Sequence, residues 1–226
     1  MVMLVQPALA QGARKTPVAP PPAPSAPRGD AVAGRELAES ERCIECHGAD
    51  GQGSTHDDAI EGKFPRLAGQ QPDYLLKQLR DLRSGARKND FMQVMARSID
   101  DATAAHIVAF FAGLPPMRGD GRADANGATL YARGDATRGI PACAACHGAD
   151  ALGQRLADGI APRLAGQSWR YLERQLLDWR DGFRRNSPGD AMSAAARGLS
   201  DAEILSLSHH LSGLAAGASP ASSAAR

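Results

Sequence analysis

Six residues carry the reactive chemistry of this chain: Cys43, Cys46 and His47, and then Cys143, Cys146 and His147. They include all 4 cysteines of the 226-residue sequence, so no thiol is left for any other purpose. Cysteines three positions apart lie about one turn apart on a helix, and the next residue adds an imidazole to the same short segment. A disulfide across such a pair closes a tight, strained loop and leaves the histidine unexplained. Structural zinc needs four ligands where each cluster offers three, and a redox dithiol has no need of the histidine. The pattern C-x-x-C-H is the attachment signature of haem c, in which the thiols form thioethers with the two vinyl groups and the imidazole takes the iron. The sequence therefore predicts two covalently bound haem c groups.

The sixth iron position decides between electron transfer and ligand chemistry, and methionine is the candidate. Met92 lies 45 residues after His47, and Met192 lies 45 residues after His147. Each stands seven residues before an apolar position, Ile99 or Leu199, that precedes the closing helix of its half. Met95 has Ala195 as its counterpart, and Met117 has none. His56, His106, His209 and His210 lack a histidine counterpart in the other half and read as surface or packing residues, with His209 as the rival to methionine in a bis-histidine site. The expected iron ligands are His47 with Met92 and His147 with Met192.

These residues sit on a repeat. At a shift of 100, Cys43-x-x-Cys-His-Gly-Ala-Asp50 falls on Cys143-x-x-Cys-His-Gly-Ala-Asp150, and Gly53 on Gly153. At a shift of 97, Pro65-Arg-Leu-Ala-Gly-Gln70 falls on Pro162-Arg-Leu-Ala-Gly-Gln167, followed by Tyr74 on Tyr171, Gln78 on Gln175, Asp81 on Asp178 and Gly85 on Gly182. The shift then returns to 100, with Met92 on Met192 and Gly113-Leu114 on Gly213-Leu214. The same ordered features in both halves indicate tandem duplication of one domain. The expected division is a signal-like segment and proline-rich tether over 1–29, one domain over 30–116, a second over 117–215, and a flexible tail over 216–226.

Apolar residues recur at three and four, so the chain reads as helical throughout, and strand signals are missing. Pro72 opens a helix with Tyr74, Leu75, Leu79 and Leu82 on one side before Gly85; Trp169 to Asp181 repeats it with Tyr171, Leu172, Leu176 and Trp179. Asp100 and the Ser200–Glu203 capping box start the two closing helices, and Gly113 and Gly213 are expected as their C-caps. Ala8-Leu9-Ala10 resembles a signal-peptidase site although no basic residue precedes it, and six of the eleven positions from Pro17 to Pro27 are proline.

Composition narrows the function classes. A net charge of +1 excludes a polybasic nucleic-acid binder, and no apolar run approaches the roughly 18 residues that span a bilayer, so any membrane contact is peripheral. Aromatic residues are only 4% of the chain, which leaves two small cores short of large side chains and makes a buried macrocycle a structural element as well as a cofactor. Haem c attachment in bacteria takes place outside the cytoplasmic membrane, which points to the periplasm.

The doubled C-x-x-C-H, the Pro-Arg-Leu-Ala-Gly-Gln segments with the Tyr-Leu and Gln-Leu that follow, the methionine before each closing helix, and Gly139-Ile-Pro-Ala-Cys143 together resemble the dihaem class I cytochromes c of the cytochrome c4 family. The resemblance runs from about Gly34 to Leu214. It implies an all-α protein of two tandem class I cytochrome c domains, each wrapped around one covalent haem c. It also implies that the carbonyls of Pro65 and Pro162 receive the proximal imidazole N–H. Arg66, Arg163, Gln70, Gln167, Tyr74 and Tyr171 are expected to meet haem propionates, to line the contact between domains, or to pack between helices. The family role is electron transfer between redox proteins such as a quinol-oxidising complex and a terminal oxidase. A cytochrome subunit of a periplasmic dehydrogenase would use the same haems. A dihaem peroxidase or gas-binding haem protein would need one haem without its methionine, and the pairing of Met92 with Met192 speaks against that.

Overall fold

The computed structural model of the protein describes residues 29–53 and 62–215. The expectations for the amino-terminal segment, the carboxy-terminal tail and His56 lie outside the described residues. In the first half α1 (Ala31–Ser40), α2 (Cys43–His47), α3 (Pro72–Ser84), α4 (Asp90–Ser98) and α5 (Asp101–Gly113) follow one another. The second half repeats the order with α6 (Ala125–Arg133), α7 (Ala144–His147), α8 (Trp169–Arg180), α9 (Ala191–Ala196) and α10 (Asp201–Gly213).

The helix starts follow local chemistry. Asp30 Oδ1 accepts the N–H of Val32 at 2.7 Å and of Ala33 at 3.1 Å, Asp100 Oδ1 that of Thr103 at 2.7 Å, and Asp124 Oδ1 that of Gly127 at 2.8 Å. Ser200 and Glu203 form the expected capping box. In each half the first helix crosses the last so closely that only glycine fits. A Cβ on Gly34 would lie 1.9 Å from the His106 carbonyl oxygen, and one on Gly127 would lie 2.1 Å from that of Ser206. The buried apolar residues form two separate clusters. Leu76, Ile107, Val108 and Phe111 centre the first, and Tyr131, Trp179, Ile204 and Leu207 the second.

Two local expectations are corrected. Residues Gln154–Leu156 (β1) and Gly159–Ala161 (β2) pair antiparallel as a small hairpin, with Leu156 opposite Gly159. Three-residue strands are too short to show a period of two, and Asp158-Gly159 was the only local sign of the turn. Gly113 and Gly213 are the last helical residues, not C-caps; the caps are Leu114 and Leu214, both extended. Pro115 forces Leu114 out of the helical region. Gly213 serves close approach instead, since a Cβ there would lie 1.7 Å from the Arg122 carbonyl oxygen.

The two halves meet in a pseudo-twofold contact. Gln70 Oε1 accepts the Arg163 N–H and its Nε2 donates to the Arg163 carbonyl, both at 2.9 Å. Gln167 makes the reciprocal pair with the backbone of Arg66, also at 2.9 Å. Behind this clamp, Arg87 donates to Gln78 of its own half at 3.0 Å and to Tyr171 and Gln175 of the other at 2.8 and 3.0 Å. Arg184 mirrors it, donating to Gln175 at 2.6 Å, Tyr74 at 3.3 Å and Gln78 at 2.9 Å.

Candidate haem-attachment sites

In the first half the one-turn helix α2 holds Cys43, Cys46 and His47, and in the second Cys143 immediately precedes α7, which holds Cys146 and His147. None of the four cysteines is in a disulfide. Burial pushes the Cys43 thiol up to about 11 and raises that of Cys143, so both stay protonated at neutral pH. Both imidazoles are 6% exposed. His47 Nδ1 lies 3.0 Å from the Pro65 carbonyl oxygen, and His147 Nδ1 lies 3.0 Å from that of Pro162. A carbonyl only accepts, so Nδ1 carries the hydrogen and the Nε2 lone pair is left without a protein donor. Burial lowers both imidazole pKa values against the opposing effect of the proline carbonyl, which keeps the rings neutral and ready for a metal.

The repeated Leu-Ala segments explain how the prolines reach the histidines. Leu67 and Ala68 donate to the Gly51 carbonyl at 2.8 and 3.0 Å, and Leu164 and Ala165 donate to that of Ala151 at 2.8 and 3.1 Å. Gly53 and Gly153 in turn donate to the carbonyls of His47 and His147 at 2.8 Å. His47 and His147 are thus each fixed by a ring of hydrogen bonds, two links of it through backbone groups and one through the imidazole itself.

The methionines lie on the short helices before α5 and α10. Met92 is half-buried on α4, its N–H donating to Asn89 Oδ1 at 3.0 Å. Met192 is half-buried on α9, packs against the second core, and donates its N–H to Ser187 Oγ at 3.1 Å. Met117 is 1% exposed and its sulfur accepts from Gln167 Nε2 at 3.5 Å, which makes it a packing residue of the contact between the halves. The unpaired histidines also have other partners. His106 Nδ1 accepts the Asp30 N–H at 2.9 Å, His209 stands edge-on to Trp169 at 5.0 Å, and His210 faces Tyr131 at 5.8 Å.

Gln70, Gln167, Tyr74 and Tyr171 line the contact between halves. Arg66 Nη1 reaches the carbonyls of Arg118 and, at 2.6 Å, of Gly166. Arg163 differs: its Nε is buried without a hydrogen-bond partner, and burial lowers the pKa of its guanidinium. An orphaned cationic donor one residue from the proline that holds His147 fits a cofactor bearing carboxylates. Arg87 and Arg184 were missed by the sequence reading, although both stand at the 97-residue shift two positions beyond Gly85 and Gly182. Arg87 bonds to Gln78, Tyr171 and Gln175, and Arg184 to Gln175, Tyr74, Gln78 and Asn186. Among the described residues no group of three or more His, Cys, Asp or Glu side chains forms a metal cage of its own. A buried neutral imidazole beside two thiols is the donor set that a haem c requires, and it occurs twice.

The family model for cytochrome c matches residues 31–115 and again residues 125–215. The chain belongs to the cytochrome c family. Within it, several relatives are cytochromes c4. Cytochrome c4 of Thiocapsa roseopersicina is 37% identical over 189 residues, covering 82% of this chain and 93% of that protein. The thiosulfate dehydrogenase electron acceptor of Stutzerimonas stutzeri is 42% identical over 173 residues, covering 74% of this chain and 76% of its own length. The solved structure of reduced recombinant cytochrome c4 from Pseudomonas stutzeri superposes with a TM-score of 0.72 at 33% identity, covering 82% of this chain and 99% of that one. A thiosulfate dehydrogenase, TsdBA, from Marichromatium purpuratum gives 0.68 at 34% identity, over 80% of this chain and 39% of that one. The all-α fold of two tandem cytochrome c domains therefore holds, with the hairpin as a small exception. The protein binds two covalent haem c groups and is an electron carrier, not an enzyme.

Proposed function

We propose that this protein is a periplasmic carrier that moves single electrons through two haems, each held between a histidine and a methionine. Cys43 and Cys46 would form the thioethers of the first haem and Cys143 and Cys146 those of the second. His47 with Met92, and His147 with Met192, would be the axial pairs. The observation that carries this reading is the doubled arrangement itself. Each buried imidazole has Nδ1 committed to a proline carbonyl and Nε2 unpaired, and each half presents a half-buried methionine at the same offset.

When bound, the haem supplies the one-electron redox couple; the polypeptide sets its potential and shields it. With His47 and Met92 holding one iron and His147 and Met192 the other, no coordination site would be open to substrate. Arg163 would receive a haem carboxylate in the second domain. The domains are taken as 30–116 and 117–215. Among the described residues no helix is long and apolar enough to cross a membrane, and haem c attachment outside the cytoplasmic membrane supports a periplasmic location. The partners would be redox proteins such as a quinol-oxidising complex on the input side and a terminal oxidase on the output side, with any membrane contact peripheral and no role for nucleic acid. Rapid mixing tests this. The ferrous protein should be oxidised by oxidase-containing membranes, and the ferric protein reduced by a quinol-oxidising complex, without oxygen chemistry at its own haems. A ferrous protein that oxidase does not oxidise, but that itself consumes peroxide, would overturn it.

A second reading gives the same haems to sulfur oxidation. It is favoured by relatives in Stutzerimonas stutzeri and Thiomonas intermedia, 42% and 36% identical, that are named as electron acceptors of thiosulfate dehydrogenase. Reduction of the ferric protein by such a dehydrogenase on addition of thiosulfate, and none without the dehydrogenase, would establish it.

A further inference from the structure

The repeat is broken at one place beside the methionines. At the 97-residue shift Arg87-Lys-Asn89 falls on Arg184-Arg-Asn186, after which Ser187-Pro188-Gly189 is inserted before the second methionine segment. In the first domain Asn89 is exposed, and its Oδ1 caps α4 by accepting the Met92 N–H at 3.0 Å. In the second domain the insert takes over that task, because Ser187 Oγ accepts the Met192 N–H at 3.1 Å. Asn186 is thereby released and lies half-buried at the domain contact.

There it bonds to α3 of the other domain. Its Nδ2 donates to Gln78 Oε1 at 3.0 Å and to Asp81 Oδ2 at 2.6 Å. Its carbonyl accepts from Lys77 Nζ at 2.7 Å, and its Oδ1 accepts from Arg184 Nε at 3.0 Å. Asp81, Lys77 and Arg184 are charged, so three of these bonds have a charged partner and are stronger than neutral ones, and Lys77 and Asp81 are themselves an ion pair. No mirror-image tie occurs among the described residues. Asp178, the repeat of Asp81, pairs with Arg174 at 3.1 Å and accepts from Gln175 at 3.4 Å, both on its own helix, and burial pushes its carboxyl up.

We propose that Asn186 is a one-sided clasp, a positioning residue through which α3 of the first domain holds the methionine segment of the second. Arg87 and Arg184 tie both methionine segments across the contact, and Asn186 adds a tie that only the second has, so retention of Met192 at its iron depends more on that contact than retention of Met92 does. The clasp rests on the methionine ligation proposed above. Between Asn186 and Met192 the chain passes through two consecutive left-handed residues, Gly189 at φ 56° and Asp190 at φ 58°, so the anchor at Asn186 sets where that sharp turn begins. A neutral thioether is displaced by added ligands as easily as the segment presenting it gives way.

The test is imidazole titration of the ferric holoprotein, following the NMR methyl resonance of each coordinated methionine separately. Asn186→Ala should raise the apparent imidazole affinity of the second-domain haem about tenfold and leave the first within twofold of wild type. Asp81→Ala, placed in the first domain, should loosen the second domain's methionine in the same direction, an effect that a local packing defect at position 186 would not produce. Asp178→Ala should leave the first domain's methionine unmoved. The clasp is refuted if Asn186→Ala and Asp81→Ala leave the second-domain haem within twofold of wild type, or if they loosen both haems equally. Wild-type protein lacking a methionine resonance at either haem refutes the ligation reading instead, before any variant is compared.

Discussion

Truncating Gln70 and Gln167 should show how much of this molecule rests on its domain contact. Each side chain pairs with both the N–H and the carbonyl of an arginine in the other domain, all four bonds at 2.9 Å, and the two glutamines are 4% and 5% exposed. Replacing either by alanine removes the acceptor of two buried backbone N–H groups, that of the arginine and that of the residue after the glutamine, and the donor to the arginine carbonyl. An unsatisfied buried group loses about 1–3 kcal/mol, so with some water entry each variant should lose roughly 2–4 kcal/mol. For a cooperative unit of this size that corresponds to a fall of roughly 5–15 °C in melting temperature. Gln70→Glu sharpens the test. It keeps an acceptor for the Arg163 N–H but sets a second oxygen against the Arg163 carbonyl, so it should be destabilised as well. The clamped residues directly follow Pro65 and Pro162, so haem absorbance and far-ultraviolet circular dichroism should report the same loss. Denaturant unfolding of the holoprotein is the assay. A loss below about 1 kcal/mol in Gln70→Ala and Gln167→Ala, or a Gln70→Glu variant as stable as wild type, would refute this reading of the contact.

The helix crossings give a second prediction: Gly34→Ala and Gly127→Ala set a methyl 1.9 and 2.1 Å from a carbonyl oxygen, and each should lower stability by about 1–3 kcal/mol in thermal unfolding despite the better helix propensity of alanine. Glu203, bonded to Arg138 and to the Ser200 N–H, has its carboxyl held down at about 2. Its contribution is therefore full above the ordinary glutamate range and is lost as pH falls from about 4.5 towards 2. Glu203→Gln should be less stable than wild type at pH 7 and should converge with it near pH 2, as followed by urea unfolding at a series of pH values. Arg163→Gln removes a cation whose buried Nε has no partner, and loss of a nearby positive charge favours the oxidised haem. Redox titration should find the second-domain potential lowered by tens of millivolts, on the order of one unit charge's Coulomb interaction over about 10 Å at an effective dielectric of about 20, with the first unchanged.

The attachment residues were legible because their chemistry is local. C-x-x-C-H states its purpose within five residues, whereas the equal offsets alone set Met92 and Met192 apart from Met95, which is half-buried on the same helix as Met92. The helices were legible from their caps, as at Asp100 and Ser200. The hairpin at Gln154–Ala161 escaped because strands of three residues have no period to detect. The roles of Gln70 and Gln167 stayed ambiguous because repetition alone does not separate a residue facing a cofactor from one facing the other domain. Arg87 and Arg184 went unread for a different reason. Their bonds join positions 84 to 110 residues apart, a pairing that only the assembled contact reveals.

The central claim is that both irons are closed by methionine, and the optical spectrum of the holoprotein tests it most directly. Oxidised protein should show two low-spin haems per chain with the far-red methionine-to-iron charge-transfer band, and reduced protein should not change on addition of carbon monoxide. A high-spin fraction in the oxidised spectrum, or a carbon monoxide shift in the reduced one, would contradict the paired ligation and with it the reading of this chain as a two-haem electron carrier without an open coordination site.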